Sequence, residues 1–489
     1  MSENVSFSPV AYPERWVMLL LFCLLEGANA LLWISFAPIS DKVQHYFGHG
    51  VYGSITAVNM LANVFLIFYG PGTALASSSM KVYGLRNSLI IGGTVTMIGA
   101  LVRVFAAVYH GDIGNESTYY LMLLGQTLGS LAQPVFLNMP SVIASTWFPM
   151  SERDIATTIG AISSPIANAI GSVLPVLFVY QTTKTAETDS GESTESYTVH
   201  GMTNSMLCQF ILCLVPLLFT VCYFVDAPPT PPSMSTLLQH EGDSCGKLEN
   251  TTNTPWNKTM NELRVLFADR DYILLLVSFS VNQGFFCAIM TLVNEMIMPH
   301  GYSNADAGVF GAVFISSGVI GAAVFGNLME KYRNYRFIMK TTSGMAFLMI
   351  LWFLCMIYKD NYWPLLLSYG SVGFFMLPLV PISMTNCAEC TYPVSEELAM
   401  GLLLVGANVT GFGLIFVLQN IMDMGSIGPW PFLSALNVFF VGVFLLQNIT
   451  LFCFNGQYKR LQNEQGATRP DETSALTPLL LHGDGDNCP

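Results

Sequence analysis

The chain has 489 residues, of which 52% are hydrophobic and only 10% are charged, and its formal net charge is −13. Soluble globular domains carry about 25% charged residues, so this composition excludes a soluble globular protein and predicts an all-α membrane protein with many spans. The 32 acidic residues outnumber the 19 basic ones, which excludes the basic surface that a nucleic-acid-binding protein needs.

Twelve mostly apolar stretches are long enough to cross a bilayer. They lie at 16–38, 51–76, 87–109, 119–144, 155–180, 202–225, 271–297, 305–328, 337–358, 362–387, 399–422 and 430–454. The predicted organisation is a cytosolic N-terminus at 1–15, a six-helix bundle at 16–225, a cytosolic linker at 226–270, a second six-helix bundle at 271–455 and a disordered cytosolic tail at 456–489.

The first apolar stretch contains an ionisable side chain, Glu26, at a depth where a spanning helix usually carries only hydrocarbon. A charge in mid-membrane costs roughly 2.5–3.5 kcal/mol or more, so it usually faces a bundle interior or a water-filled path. Asn29 and Trp33 follow at helical spacing and are predicted to share this face. Trp33 offers a cation–π surface worth about 0.5–2 kcal/mol to an ammonium group, or serves as an interface anchor. Glu26 is either a packing residue or, as we favour, a cation contact or proton carrier.

Further polar residues lie in or beside the next spans. Near the outer end of the third span, Arg103 is expected to extend to the lipid headgroups. Asn115 begins a glycosylation sequon in the following outer loop. On the fourth span, Gln126 and Gln133 lie one heptad apart, and Pro134 loosens the helix, which is tolerated only beside protein or water. Gln133 is therefore expected to line a transport path, while interhelical bonding explains Gln126 equally well.

The later spans add one acidic residue and a cysteine pair. Glu295, late in the seventh span, either attracts cations at the outer mouth or marks a solvated helix end. Cys387 and Cys390 form a CxxC motif without a second pair or a histidine cluster, whereas a structural zinc site needs four ligands. No metal, no cofactor and no catalytic constellation are predicted, and the chain is not expected to be an enzyme.

The basic residues predict the orientation of the chain. Placing both termini in the cytosol puts most of the 19 lysines and arginines on the cytosolic side, as the positive-inside rule requires. Six spans, a long cytosolic linker and six further spans resemble the major facilitator superfamily. That resemblance implies two bundles that rock around a midplane site. The chain has no phosphate-binding G-x-x-x-x-G-K-[ST] segment, so transport is expected to use a gradient or to run downhill.

The superfamily signature between the second and third spans is only partly kept. Lys81 stands where an acidic residue is expected, while Arg86 is retained. The second half carries a fuller version, with Glu330 as the acid and Arg333 as the base. With Glu389 at the cytosolic end of the tenth span, these residues are predicted to act in gating.

Several segments agree in order and spacing with a known family: RWVMLLLFCLLEGANALLWISFAPISD, GQTLGSLAQPVFLNMPSVIASTWFP, APPTPPS, ECTYPVSEE and YKRLQ. Together they resemble solute carrier family forty-nine, the feline leukaemia virus subgroup C receptor-related group. APPTPPS and LWISFAP most resemble its major facilitator domain-containing member seven branch. The match runs from about Arg15 to Gln462.

The resemblance implies a substrate site. Members of this family carry choline or ethanolamine, have been linked to haem, or move pyridoxine. In the choline-type members, the cage residues of the first and fourth spans match Asn29, Trp33 and Gln133. A cage tyrosine falls on Cys287, and a cage glutamine falls on Asn408. The expected substrate-binding residues are therefore Glu26, Asn29, Trp33, Gln133, Phe285, Phe286, Cys287 and Asn408.

The predicted function is alternating-access transport of a small organic solute, cationic and choline- or ethanolamine-like, with a coupling proton as a further partner. The protein is expected to be a monomer in the bilayer, at the plasma membrane rather than an endolysosomal one. One alternative is a haem transporter, which would need His, Cys or Tyr ligands, although none of the seven histidines lies in a predicted span. The other is a non-transporting receptor or sensor with a transporter fold.

Overall fold

The computed structural model describes residues 12–48, 50–149, 152–187, 193–230, 255–332, 334–357, 361–391, 394, 396–422 and 434–459. Within these residues, eleven helical segments are long and apolar enough to cross a membrane. They are Arg15–Phe47, Ile55–Met80, Val82–Val108, Ile155–Phe178, Met202–Tyr223, Arg270–His300, Asn304–Met329, Tyr335–Met356, Tyr362–Thr391, Leu398–Met422 and Ala435–Cys453. Eleven of the twelve predicted spans therefore coincide with apolar helices.

The fourth predicted span is the polar exception. It is built from His110–Leu137 and Pro140–Trp147, which are not among the eleven segments. Pro134 lies inside the first of these helices, and proline removes a helical hydrogen bond. The helix ends three residues later, so the kink predicted for this span is present.

The helices of the first half are Arg15–Trp33, Ser40–Phe47, Ile55–Ile67, Tyr69–Val108, His110–Leu137, Pro140–Trp147, Arg153–Phe178 and Met202–Tyr223, with a 3-10 helix at Ala37–Ile39. Those of the second half are Pro255–Ala268, Arg270–Ile297, Asn304–Tyr332, Tyr335–Met356, Tyr362–Met376, Leu379–Thr391, Glu396–Met422 and Ala435–Cys453, with a 3-10 helix at Met298–His300. Tyr69–Val108 joins the second and third spans through a turn at Gly84, whose φ of 77° favours glycine.

The first span coincides with the segment predicted at 16–38, but its α-helix is interrupted within the span. Its helix ends at Trp33, and the chain then passes through a turn into Ala37–Ile39 and Ser40–Phe47. Pro38 explains the break, because a proline ring clashes with the carbonyl four residues earlier, which belongs to Ile34. The break lies directly after one of the predicted site residues.

Two elements outside the spans were not predicted. Tyr180–Glu187 pairs antiparallel with Ser193–His200 and forms a hairpin between the fifth and sixth spans. Pro255–Ala268 is a helix inside the predicted linker. After the last span, Lys459 forms a 3.2 Å salt bridge with Asp269 at the start of the seventh span. The residue limits of the two bundles, the linker and the tail remain predictions.

The distribution of buried apolar residues differs between the two ends of the helix assembly. We call the end that carries Arg15, Arg270 and Cys453 the inner end and the opposite end the outer end. Toward the inner end, the core consists of two separate clusters, one in each half of the chain. Toward the outer end, one large cluster contains residues of both halves, including Trp33 and Phe286. The two halves are therefore packed together most extensively in the outer half.

Candidate functional site

Glu26 is buried between the first and fifth spans, with 2% of its surface exposed. Its Oε2 atom accepts a hydrogen bond from the hydroxyl of Ser163, and its Oε1 atom has no hydrogen-bond partner. A buried carboxylate without a cation is costly as an anion. The free Oε1 atom can therefore take a proton or a cationic partner. Ser163 was not predicted, although a serine pair in the fifth span was a visible signal.

Asn29 faces a different part of the bundle from Glu26. Its Nδ2 atom donates to Thr96 Oγ1 at 3.0 Å and to the carbonyl of Gly129 at 2.9 Å. The amide thus joins the first span to the third and fourth spans. Residues three apart on an α-helix differ by 60° in direction, and this angle separates the surroundings of Asn29 and Glu26. Asn29 is placed to hold helices together beside the predicted path.

Trp33 lies where the two halves of the chain meet. Its ring centroid is 6.3 Å from that of Phe286 in the seventh span, and Phe286 is 5.9 Å from Phe314 in the eighth. The indole Nε1 atom is buried and has no hydrogen-bond partner. Three aromatic side chains from both halves therefore share one place. Phe314 was not predicted as part of it.

The adjacent residues of the seventh span point to different neighbours. Phe285 packs against Phe440 at 5.0 Å and Phe444 at 4.5 Å between ring centroids, so it belongs to the interior of the second bundle. Cys287 lies beside the eleventh span, since a Cβ built on Gly411 would be 3.4 Å from Cys287 Cβ. The structure thus places Phe286 against Trp33 and directs Phe285 away from it.

The remaining predicted site residues are half-buried amides. Gln133 lies in the fourth span, one residue before the kink-forming Pro134. Asn408 donates from Nδ2 to the carbonyl of Leu404 in its own helix, at 2.7 Å. Gln126 is fully buried, and its Nε2 atom donates to the carbonyl of Leu32 at 3.3 Å, as expected for interhelical bonding.

Polar side chains join the two halves at the outer end, and most of them were not predicted. Asp41 accepts from Asn304 at 2.9 Å and from Asn294 at 3.5 Å. Three further hydrogen bonds cross the same interface: Asn294 to Ser40 at 3.1 Å, Asn59 to Glu295 at 2.7 Å, and Gln419 to Thr56 at 3.3 Å. We call this set the outer latch. Glu295 is thus a partner in the closed outer interface.

Arg86, one of the predicted gating residues, lies at the inner end. Arg86 donates from Nε to the carbonyl of Phe224 at 2.7 Å and from Nη2 to that of Val221 at 2.9 Å. Asp226 accepts from the backbone N–H of Arg86 at 2.6 Å, so a carboxylate from beyond the sixth span stands at the start of the third. This contact ties the third span to the sixth within the first bundle.

The other gating predictions can be placed only in part. Glu389 is half-buried at the inner end of the tenth span. The side chains of Lys81 and Glu330, and the whole of Arg333, lie outside the described residues. Their roles remain predictions.

The expectation that Arg103 reaches the lipid headgroups is wrong. Its side chain is inside the first bundle, with 1% of its surface exposed. Its Nη2 atom donates to Ser35 Oγ at 2.9 Å and to Gln209 Oε1 at 2.8 Å. The local sequence predicts only how deep Arg103 lies in the membrane. The two groups that accept its hydrogen bonds come from other segments, namely the break in the first span and the sixth span.

Two remaining predictions concern glycosylation and metals. Asn115 is exposed at the outer end of the fourth span, and its modification remains a prediction. Cys387 and Cys390 are both buried, and neither is part of a disulfide bond among the described residues. In the described part of the chain, no group of three His, Cys, Asp or Glu side chains could hold a metal ion.

Comparisons with known proteins agree with this architecture. The family model described as Major Facilitator Superfamily matches residues 18–413. Solute carrier family 49 member A3 of Xenopus tropicalis is 29% identical over 423 residues, which cover 86% of this chain and 80% of that protein. The choline/ethanolamine transporter flvcr2a of Danio rerio is 27% identical over 474 residues, covering 97% and 92%. The predicted resemblance to solute carrier family forty-nine is confirmed.

Solved structures show the same fold. The D-xylose-proton symporter aligns with a TM-score of 0.61 at 14% identity, over 92% of this chain and 99% of that one. The fucose:proton symporter of E. coli aligns with a TM-score of 0.59 at 12% identity, over 91% and 100%. At these identities the likeness concerns the fold alone, and it confirms the predicted arrangement of two six-helix bundles.

Proposed function

This chain belongs to the Major Facilitator Superfamily, and we propose that it carries a small cationic solute of the choline or ethanolamine type by alternating access. Its relatives and its fold are those of membrane transporters, which are not enzymes.

The contact between Trp33 and Phe286 carries the proposal. The two rings come from different halves of the chain and lie 6.3 Å apart, so a movement of one bundle against the other changes the space between them. A tryptophan face within about 6 Å attracts an ammonium group, by about 2 kcal/mol when the group is desolvated. We propose that Trp33 and Phe286 contact the solute, while Asn29 and Phe285 hold the surrounding helices in place.

Glu26 acts at a separate position along the path. Seven residues at 1.5 Å rise place its backbone about 10.5 Å from that of Trp33 along the helix axis. The two side chains therefore start about two helical turns apart along the path. The carboxylate, with its unpaired Oε1 atom, therefore serves either as a second station for the cation or as the carrier of a coupling proton.

The packing supports an alternating-access mechanism with the outer side closed. The outer latch joins the two halves at that end, and the core there is continuous between them. The inner halves contain separate cores. In this state, we propose, the solute leaves or enters from the inner end, which is cytosolic if both termini are cytosolic. The plasma membrane and a monomeric state remain our proposals.

The names of the relatives support a solute of this class. The flvcr2a protein of Danio rerio is described as a choline/ethanolamine transporter, as is FLVCR2 of Homo sapiens, which is 24% identical over 419 residues.

The residues present support haem as the solute less well than they support a small cation. The histidines that the structure describes lie in the outer parts of the fold: His45, His110, His200 and His300. A receptor without transport would depend on surface segments instead.

Uptake into liposomes tests the proposal. Purified protein should take up labelled choline or ethanolamine, and Trp33→Leu should raise KM by about 2- to 30-fold, because 0.5–2 kcal/mol of cation–π attraction is lost. Trp33→Phe should cause a smaller rise. The control is Trp363→Leu, which changes a tryptophan that is 74% exposed on the outer surface. An unchanged KM in Trp33→Leu would contradict the role of the indole, and no uptake of either solute would contradict the solute class.

A further inference from the structure

The break after Trp33 is fixed by a buried arginine from another span. Arg103 donates from Nη2 to Ser35 Oγ at 2.9 Å, and its guanidinium carbon lies 5.0 Å from the centroid of the Phe36 ring. Ser35 Oγ in turn donates to the carbonyl of Leu32 at 2.6 Å. Arg103 therefore contacts both residues that follow Ile34 in the turn of the first span.

The other contacts of Arg103 restrict its position. Nη2 also donates to Gln209 Oε1 at 2.8 Å, so the same nitrogen joins the first and sixth spans to the third. A Cβ built on Gly125 would lie 2.5 Å from Arg103 Cγ, so the backbone of the fourth span presses against the stem of the side chain. Four spans of the first bundle thus meet at this residue.

The energetics explain why a cation is tolerated here. No salt bridge to Arg103 is found among the described residues, and its Nε and Nη1 atoms have no hydrogen-bond partner. An uncompensated charge inside a membrane protein is costly. However, the C-terminal end of a helix carries a partial negative charge and unsatisfied carbonyls. The helix that ends at Trp33 presents this end to Arg103, and only a broken first span does so.

We propose that Arg103 is a positioning residue that fixes the break in the first span and thereby holds Trp33 against the second bundle. Trp33 is the last residue of the helix that ends at this break, and its ring contacts Phe286 on the far side of the interface. Fixing the break therefore fixes the direction of the indole. The effect of Arg103 on solute affinity rests on the proposed function, whereas its effect on the position of Trp33 does not.

Lysine cannot replace arginine in this role. One Arg103 nitrogen makes two hydrogen bonds while the guanidinium lies over an aromatic ring, and a lysine ammonium lacks the planar surface that packs on that ring. Arg103→Lys keeps the charge but loses this geometry. Ser35→Ala removes a single hydroxyl from the break and leaves Arg103 itself in place. Both variants are mild enough to separate positioning from a general failure to fold.

Fluorine NMR of full-length protein labelled with 5-fluorotryptophan measures the position of the indole directly. The signal of Trp33 is identified by its absence in Trp33→Phe, and that of Trp363 is the internal reference. Arg103→Lys and Ser35→Ala should shift or broaden the Trp33 signal and leave the Trp363 signal unchanged. The matched control is Ser130→Ala, because Ser130 is also fully buried in the first bundle, and its one hydrogen bond among the described residues goes to the carbonyl of Thr127 in its own helix.

Transport gives a second readout that a merely structural role would not produce. Arg103→Lys should raise the KM for choline by no more than Trp33→Leu does, with little change in the maximal rate. In the Trp33→Leu background, Arg103→Lys should raise KM no further, because both changes act through the same side chain. A double variant whose rise in KM equals the product of the two single fold-changes would contradict positioning through Trp33.

Two results would overturn the proposal. The first is a Trp33 signal that stays in place in well-folded Arg103→Lys and Ser35→Ala. The second is a wild-type Trp33 signal that moves when chloride is replaced by gluconate, since Arg103 would then act through a bound anion. If the wild type transports neither choline nor ethanolamine, the proposed function fails, and the NMR result still decides the role of Arg103.

Discussion

The outer latch gives the sharpest test of the mechanism, through Asp41. This carboxylate accepts one short hydrogen bond from Asn304, at 2.9 Å, and one long hydrogen bond from Asn294, at 3.5 Å. Asp41→Asn keeps the shape of the side chain, but it leaves one acceptor oxygen for two amide NH₂ donors and removes the negative charge. One contact between the halves is then lost, while the packing around residue 41 is retained.

The expected magnitude follows from the short bond. A hydrogen bond to a charged group contributes about 1.5–3 kcal/mol, and the bond at 3.5 Å adds little. A loss of about 2 kcal/mol changes the ratio of outer-closed to outer-open molecules by about thirtyfold. If the outer-open state is about 1% populated in the wild type, within the usual range for a minor state, it rises to about a quarter in Asp41→Asn.

Pulsed electron resonance measures this shift. Spin-labelled unnatural amino acids at Val51 and Trp363 report the separation of the two halves at the outer end, because both side chains are exposed there, 78% and 74% respectively. Asp41→Asn should add a longer distance to the distribution. The matched control is Asp112→Asn, an exposed acid at the same end. Identical distributions for wild type and Asp41→Asn would refute the latch.

Three further predictions follow from the site. In liposomes, Glu26→Gln should lower the uptake of a cationic solute at neutral pH and flatten the pH dependence of that uptake. Unchanged uptake together with unchanged pH dependence would exclude both the cation contact and the proton carrier as roles of the carboxylate. Phe285→Ala should lower the thermal denaturation midpoint more than Phe286→Ala, because removing a phenylalanine from a packed core costs about 3–5 kcal/mol. Phe286→Ala should mainly raise KM. A larger fall in the midpoint for Phe286→Ala than for Phe285→Ala would contradict the placing of Phe285 in the core and Phe286 at the solute. Asn115→Gln should abolish a glycosidase-sensitive mobility shift in cell-expressed protein, and a shift that persists would place the glycan elsewhere.

Neighbouring residues on one helix show where sequence reasoning stops. Phe285 and Phe286 are adjacent, equally apolar and both buried, so no local feature separates them. Consecutive residues on a helix differ by 100° in direction, and the positions of Phe444 and Trp33 decide which ring reaches the interface. The same holds for Glu26 and Asn29, whose polar partners Ser163 and Thr96 come from different spans.

Arg103 shows a second kind of limit. The sequence indicates that this cation lies near the outer end of a span, where extension to the headgroups is the usual outcome. Burial became favourable because Pro38 breaks the first span and leaves the negative end of a helix beside Arg103. Neither the break nor the acceptor on Gln209 belongs to the segment that contains the arginine.

The sequence by itself determined the number and approximate limits of the spans, the superfamily, and the presence of a buried carboxylate at Glu26. The spans and the buried carboxylate depend on how each segment partitions between water and lipid, which is a local property of about 20 residues, and the superfamily follows from the order of the spans along the chain. Only the tertiary structure decided the partners of Glu26 and Arg103, the meeting of Trp33 with Phe286, and the outer latch. Those pairings join residues up to several hundred positions apart, and they are set by the neighbours that distant helices bring into contact.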